Sequence, residues 1–168
     1  LVALIFRAVA FEYRGKVDTD QWRARWDWAI AVGSFFAAFG VGAALALTTT
    51  GLPLNANGDR EGGPLAWFSG YAVLGGLAVV GFSLLHALAF LALKTDGDVR
   101  HRARRWFVRL LPVLLLPIAA WALGIQVLDG KPWTWAAVLL AVAAAVAAWV
   151  LARSGAEGKA FLALGAFL

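Results

Sequence analysis

Charged residues in this chain fall in short clusters, and the stretches between them carry none: Trp28 to Gly58, Gly62 to Leu93, Leu110 to Leu128 and Pro132 to Ala152. A helix that crosses the hydrocarbon of a bilayer needs about 20 predominantly apolar residues. Each stretch is long enough for one crossing. The pattern predicts complete helices at about 28–48, 66–93, 106–127 and 133–152, with two partial helices at about 1–11 and 160–168. The chain opens and closes inside apolar runs and has no Met, so it reads as an internal fragment of a longer protein. The expected fold is all-α, a polytopic transmembrane helix bundle forming a single transmembrane domain over residues 1–168.

The segments between these helices predict an orientation. Lys and Arg number four in 12–25, one in 48–65, five in 94–105, one in 128–132 and two in 153–159. Loops rich in Lys and Arg stay on the cytoplasmic side. The first, third and fifth segments are therefore expected inside, and the strict alternation supports six membrane-crossing elements, two of them incomplete.

Composition agrees with lipid as the main solvent. Hydrophobic residues make up 62 % of the chain and charged residues 15 %, with a mean hydropathy of +0.76. Soluble domains carry about a quarter charged residues. The net charge of +5 is better explained by topology than by nucleic-acid binding, because the cations do not alternate with aromatics on a soluble surface. Without cysteine, the chain offers no disulfide, thiolate metal site or iron–sulfur ligand. Most of the nine Trp residues lie near expected helix ends, as in an interfacial aromatic belt, and Trp121 reads as a deeper packing residue. Gly33, Ala37, Gly40 and Ala44, then Ala72 and Gly76, place small residues at the spacing that brings helix backbones close. Pro112 and Pro117 predict a kink in the helix that holds them.

Arg7, Glu12, Asp27 and His86 are the ionisable groups within or beside the spans whose cost at depth needs an explanation, and three of them are candidates for chemistry. Arg7 is an interfacial Arg with a snorkelling stem or, functionally, a lining residue of a proton or water route. Asp27 lies at a helix start between Trp26 and Trp28, four residues after Arg23; it reads as a cap or ion-pair residue, and as a proton-relay candidate. His86 reads as a hydrogen-bonded or quinone-pocket histidine, with heme ligation the weaker alternative because His101 sits among loop arginines. Nothing has the spacing of a nucleotide loop, nucleophile triad or metal site, so no catalytic residue and no metal ligand is expected.

Loop residues carry the reading further. FRAVAFEYRGK (Phe6 to Lys16) and WRARWDWAIAVGS (Trp22 to Ser34), then GLPLN (Gly51 to Asn55), GYAVLGGL (Gly70 to Leu77) and HALAFLALKTDGDVRHRAR (His86 to Arg104), run in the order seen in subunit II of the cytochrome bd quinol oxidases. The chain resembles that family over about its first 105 residues; beyond them only the alternating hydropathy supports the likeness. The resemblance implies a heme-free subunit of a quinol:oxygen oxidoreductase in the bacterial inner (plasma) membrane. Its partner, subunit I, would hold hemes b and d, oxidise quinol and reduce dioxygen to water. It also implies a proton or oxygen access role, with Arg7 and Asp27 as proton-pathway candidates and Trp26 and Trp28 as pocket candidates, whereas His86, a pocket candidate from its own position, stands where some members carry Gln. Quinone and membrane lipid are the expected small partners, with no cofactor bound directly. Two further readings stay open, a proton-coupled membrane transporter and a heme-bearing anchor subunit of another respiratory complex.

Overall fold

A computed structural model describes residues 1–166. Seven helices are found among them: α1 (Val2–Arg14), α2 (Asp20–Thr50), α3 (Gly70–Lys94), α4 (Gly97–Leu114), α5 (Leu116–Asp129), α6 (Thr134–Arg153) and α7 (Glu157–Gly165). Among the described residues, four helical stretches are long and apolar enough to cross a membrane: Asp20–Thr50, Gly70–Lys94, Gly97–Leu128 and Thr134–Arg153. The last two residues of the partial helix expected at 160–168 lie outside the described residues. The chain divides into two compact units, Leu1–Val80 and Gly81–Leu168.

In the first unit, α1 and α2 pack along each other in opposite directions. Asp27 meets Arg14 near one end of α1, and Gly33 meets Ala3 and Arg7 further along. A Cβ on Gly33 would lie 2.9 Å from the Ala3 carbonyl oxygen and 3.0 Å from the Arg7 Cβ, so glycine sets this approach. α2 starts eight residues earlier than hydropathy suggests. Thr19 takes an extended N-cap conformation, its side chain accepts from the Trp22 N–H, and Asp20 favours the positive helix end. The amphipathic first turns are charged, which hides them from a search for apolar runs.

The buried small residues of α2 are Gly33, Gly42, Ala43 and Ala46. Gly40 and Ala44 of the expected stripe are exposed. A Cβ on Gly42 would run into the Gly75 carbonyl oxygen, and one on Gly75 would lie 2.5 Å from the Ala46 Cβ. The small residues of α2 and α3 do meet, through Gly42, Gly75 and Gly76, whereas Gly40 and Ala44 lie on another face of α2. α3 starts at Gly70, not near 66, because Ser69 stops the preceding turn and its hydroxyl accepts from the Ala72 N–H. Before it, Asn55 organises the loop, its side-chain oxygen accepting from the N–H groups of Asn57 and Asp59.

In the second unit, the helix expected at about 106–127 becomes two. It begins at Gly97, where the Arg-rich amphipathic turns are again invisible to hydropathy, and breaks at Leu115 between its two prolines. Proline has no N–H to give the carbonyl four residues earlier. The missing donors fall opposite Val108 and Val113. The Trp149 indole N–H donates to the Val108 carbonyl at 3.0 Å, and at the break the Leu115 N–H donates to the Leu111 carbonyl at 3.1 Å. A neighbouring helix thus satisfies a carbonyl that hydrocarbon could not. The core here uses larger side chains. Leu85, Phe107 and Leu164 are fully buried among Ala89, Leu111, Ala148, Ala152 and Ala160.

Candidate functional site

The candidate residues Arg7, Trp26, Asp27 and His86 and a buried acid, Glu157, fall at two polar junctions and two separate places on the helices. The first junction ties α1 to α2. Arg14 grips Asp27 with two donors, Nε to Oδ1 at 2.5 Å and Nη2 to Oδ2 at 3.3 Å. A fork of this kind matches a carboxylate in both distance and plane. Arg23, the partner suggested by its four-residue spacing, turns back instead to Asp18 ahead of the helix, with Asp20 also near. The Trp22 indole donates to the Tyr13 carbonyl at 2.8 Å, and Trp26 packs on both Tyr13 and Trp22 at ring separations of 5.4 and 5.7 Å.

Asp27 and Trp26 therefore belong to one cluster. Trp28 does not join it: the residue is 73 % exposed. Arg7 lies two helical turns before Arg14, about 10 Å along α1 at 1.5 Å per residue. Its guanidinium carbon stands 5.5 Å from the Phe11 ring, and its Nε is buried without a hydrogen-bond partner.

His86 sits in the second unit with its ring between Phe82 at 4.8 Å and Phe161 at 5.1 Å. Its Nδ1 is buried without a hydrogen-bond partner. An imidazole held between two aromatic rings fits packing better than an axial site on a porphyrin, which needs a planar slot against the ligating nitrogen. Among the described residues, no group of three or more His, Asp, Glu or Cys gathers as a metal site would require.

The second junction was not anticipated. Glu157, at the first turn of α7, is buried with its side chain 7 % exposed. Arg100 holds it with Nε to Oε1 at 3.2 Å and Nη2 to Oε2 at 2.9 Å, while Arg104 Nη1 lies 3.6 Å from Oε1. The Arg100 hydrogen bonds hold this carboxyl below the usual glutamate range against the opposing effect of burial. Arg100 and Arg104 share a helix face four residues apart, and Glu157 is the lone acid after Asp129. That acid facing two helical arginines was the available signal; charge counting by loop merged it into the cations.

The family model for cytochrome bd terminal oxidase subunit II matches residues 1–168. The chain is 34 % identical over 122 residues to cytochrome bd ubiquinol oxidase subunit 2 of Bacillus subtilis, covering 73 % of this chain and 36 % of that protein. Against cytochrome bd-I ubiquinol oxidase subunit 2 of Escherichia coli K12 it is 31 % identical over 108 residues, 62 % of this chain and 28 % of that one. A probable cytochrome oxidase subunit 2 of Haemophilus influenzae is 32 % identical over 62 % of this chain and 29 % of its own length. The chain spans about a third of the length of these curated relatives. With the family match running from end to end and four helices able to cross a bilayer, the chain belongs to the cytochrome bd terminal oxidase subunit II family and is a multi-pass protein of the bacterial inner membrane.

Proposed function

We propose that this chain is part of the heme-free subunit of a cytochrome bd-type oxidase, and that it supports quinol oxidation and dioxygen reduction by a partner subunit I. The observation that carries the reading is the family match across residues 1–168. Hemes b and d would lie in subunit I and supply the redox chemistry there. The packing of His86 between Phe82 and Phe161 supports assigning it a structural place and no heme.

Within this subunit, Arg14 and Asp27 join the ends of two helices, and Trp26 and Trp22 hold that joint in place. Asp27, half exposed at this joint, is the entry point of a proton route, and Arg7, with its partnerless buried Nε, is the polar group further along α1. Arg7→Leu is expected to lower quinol oxidase turnover roughly tenfold, a barrier change of about 1.4 kcal/mol, with the heme spectrum intact. Unchanged turnover would make Arg7 a lipid-interface residue only.

The broader reading is tested by tagging the full-length protein in its native membrane and purifying it. A co-purified partner with a heme d absorption band and quinol oxidase activity is expected. A pure complex with neither would defeat the assignment.

A further inference from the structure

A second feature of the Arg-rich helix is untouched by the oxidase reading and independent of it. Arg104, Arg105, Val108, Arg109, Ala152 and Arg153 line an open cleft of about 220 Å³ between α4 and α6. Arg104 is partly engaged by Glu157. Among the described residues, no carboxylate lies within ion-pair distance of Arg105, Arg109 or Arg153. All three are exposed. Three uncompensated guanidiniums around one cleft repel one another and attract an anion.

The cleft's position says which anion. Arg109 is the last charge of α4 before an uncharged run, and Arg153 is the last residue of α6 after another. Trp106 and Trp149 stand at the same level, the depth at which tryptophan settles between hydrocarbon and headgroups. Arg153 is fixed there, its guanidinium carbon 4.6 Å from the Trp149 ring, and Trp149 is itself anchored to the Val108 carbonyl. Val108 and Ala152 give the cleft an apolar floor between the cations. The volume is below the range of about 300–1,000 Å³ typical of small-molecule pockets, so it suits a phosphate group better than a quinone ring. Planar guanidinium forks match phosphate oxygens in pairs.

We propose that the cleft formed by Arg105, Arg109 and Arg153, with Arg104 at its edge, binds the phosphate headgroup of an anionic glycerophospholipid. The acyl chains would run along the apolar surfaces of α4 and α6 beyond it. Basic clefts between helices at the membrane surface are suited to such headgroups.

The test uses the full-length subunit in its native complex, washed free of lipid and offered phosphatidylglycerol or phosphatidylcholine, with retained lipid counted by native mass spectrometry. Preferential retention of phosphatidylglycerol is expected. R105Q/R109Q/R153Q should weaken it about a hundredfold and R109Q alone about fivefold, from roughly one cation's worth of surface attraction per arginine. R25Q/R102Q/K159Q removes the same charge from exposed positions outside the cleft and should retain the lipid. The single variant carries the test if the triple one does not assemble. Equal loss in both triple variants, or no preference for phosphatidylglycerol, would overturn the proposal. Displacement of the lipid by millimolar inorganic phosphate would also overturn it, by assigning the cleft to the free ion.

Discussion

The two units of the chain solve the same problem in opposite ways. In the first, backbones touch through Gly33, Gly42 and Gly75, and the ion pair that ties its helices, Arg14 with Asp27, keeps about half of each side chain in contact with solvent. In the second, Leu85, Phe107 and Leu164 fill the core, and the ion pair buries its carboxylate almost completely. An exposed pair is weakened by water and salt, whereas a buried carboxylate depends on its partners because water cannot replace them. Close backbone contact lets the first unit hold together with little from its ion pair. The second joins a short helix, α7, to α4 through a buried carboxylate met by Arg100 and Arg104.

That contrast is open to breakage. The largest effect is expected from Gly42→Leu, whose side chain would enter the Gly75 backbone at a cost of about 3 kcal/mol or more. Gly40→Leu, with nothing within 4 Å of its Cβ position, should leave thermal unfolding in detergent nearly unchanged. Equal effects would mean that the glycine contact does not hold this unit together.

Arg100→Leu with Arg104→Leu comes next, stranding Glu157 in a buried place. It should lower the unfolding midpoint clearly more than Asp27→Asn does. The same pair sets a pH dependence. Because Glu157 titrates lower when folded than its ordinary 4.5, its contribution is complete above that value and disappears as pH falls through the folded-state value. Glu157→Gln should flatten this acid limb of a stability-against-pH curve; an unchanged limb would assign it to other carboxyls.

A smaller effect is expected from Trp149→Phe, which keeps the ring but leaves the Val108 carbonyl without a donor, at about 1–2 kcal/mol. In a Pro112→Ala background, where the helix regains an N–H opposite Val108, the cost should shrink. Additive effects would show that the indole does not compensate for the proline. The smallest change should be that of Asp27→Asn, measurable as a slight shift in midpoint that fades with added salt.

Much of this architecture was legible because hydrocarbon imposes a long apolar run on any helix that crosses it. The all-α class and four spanning stretches follow from that constraint alone. The first turns of α2 and α4 were not visible, since Asp20 to Asp27 is helical behind the Thr19 cap and Gly97 to Arg105 is a charged, amphipathic stretch at the water boundary. Pro112 and Pro117 signalled a kink, but whether proline bends or ends a helix depends on who satisfies the freed carbonyls, and Trp149 lies 41 residues from Val108. The site residues divide on similar grounds. Asp27 was recognisable as an ion-pair residue, yet its partner is Arg14 across a turn and not Arg23 on its own helix, because pairing across helices depends on their packing. Glu157 was missed for the same reason: its partner Arg100 lies 57 residues away in sequence.

The proposed service of this subunit to a redox site held by a partner chain can be measured by separating the subunits of the purified complex and assaying heme content and quinol oxidase activity of each part and of the reassembled whole. All heme is expected with the partner, and activity only when both subunits are present. Heme retained by the full-length form of this subunit alone, or full activity from the partner without it, would overturn the proposal.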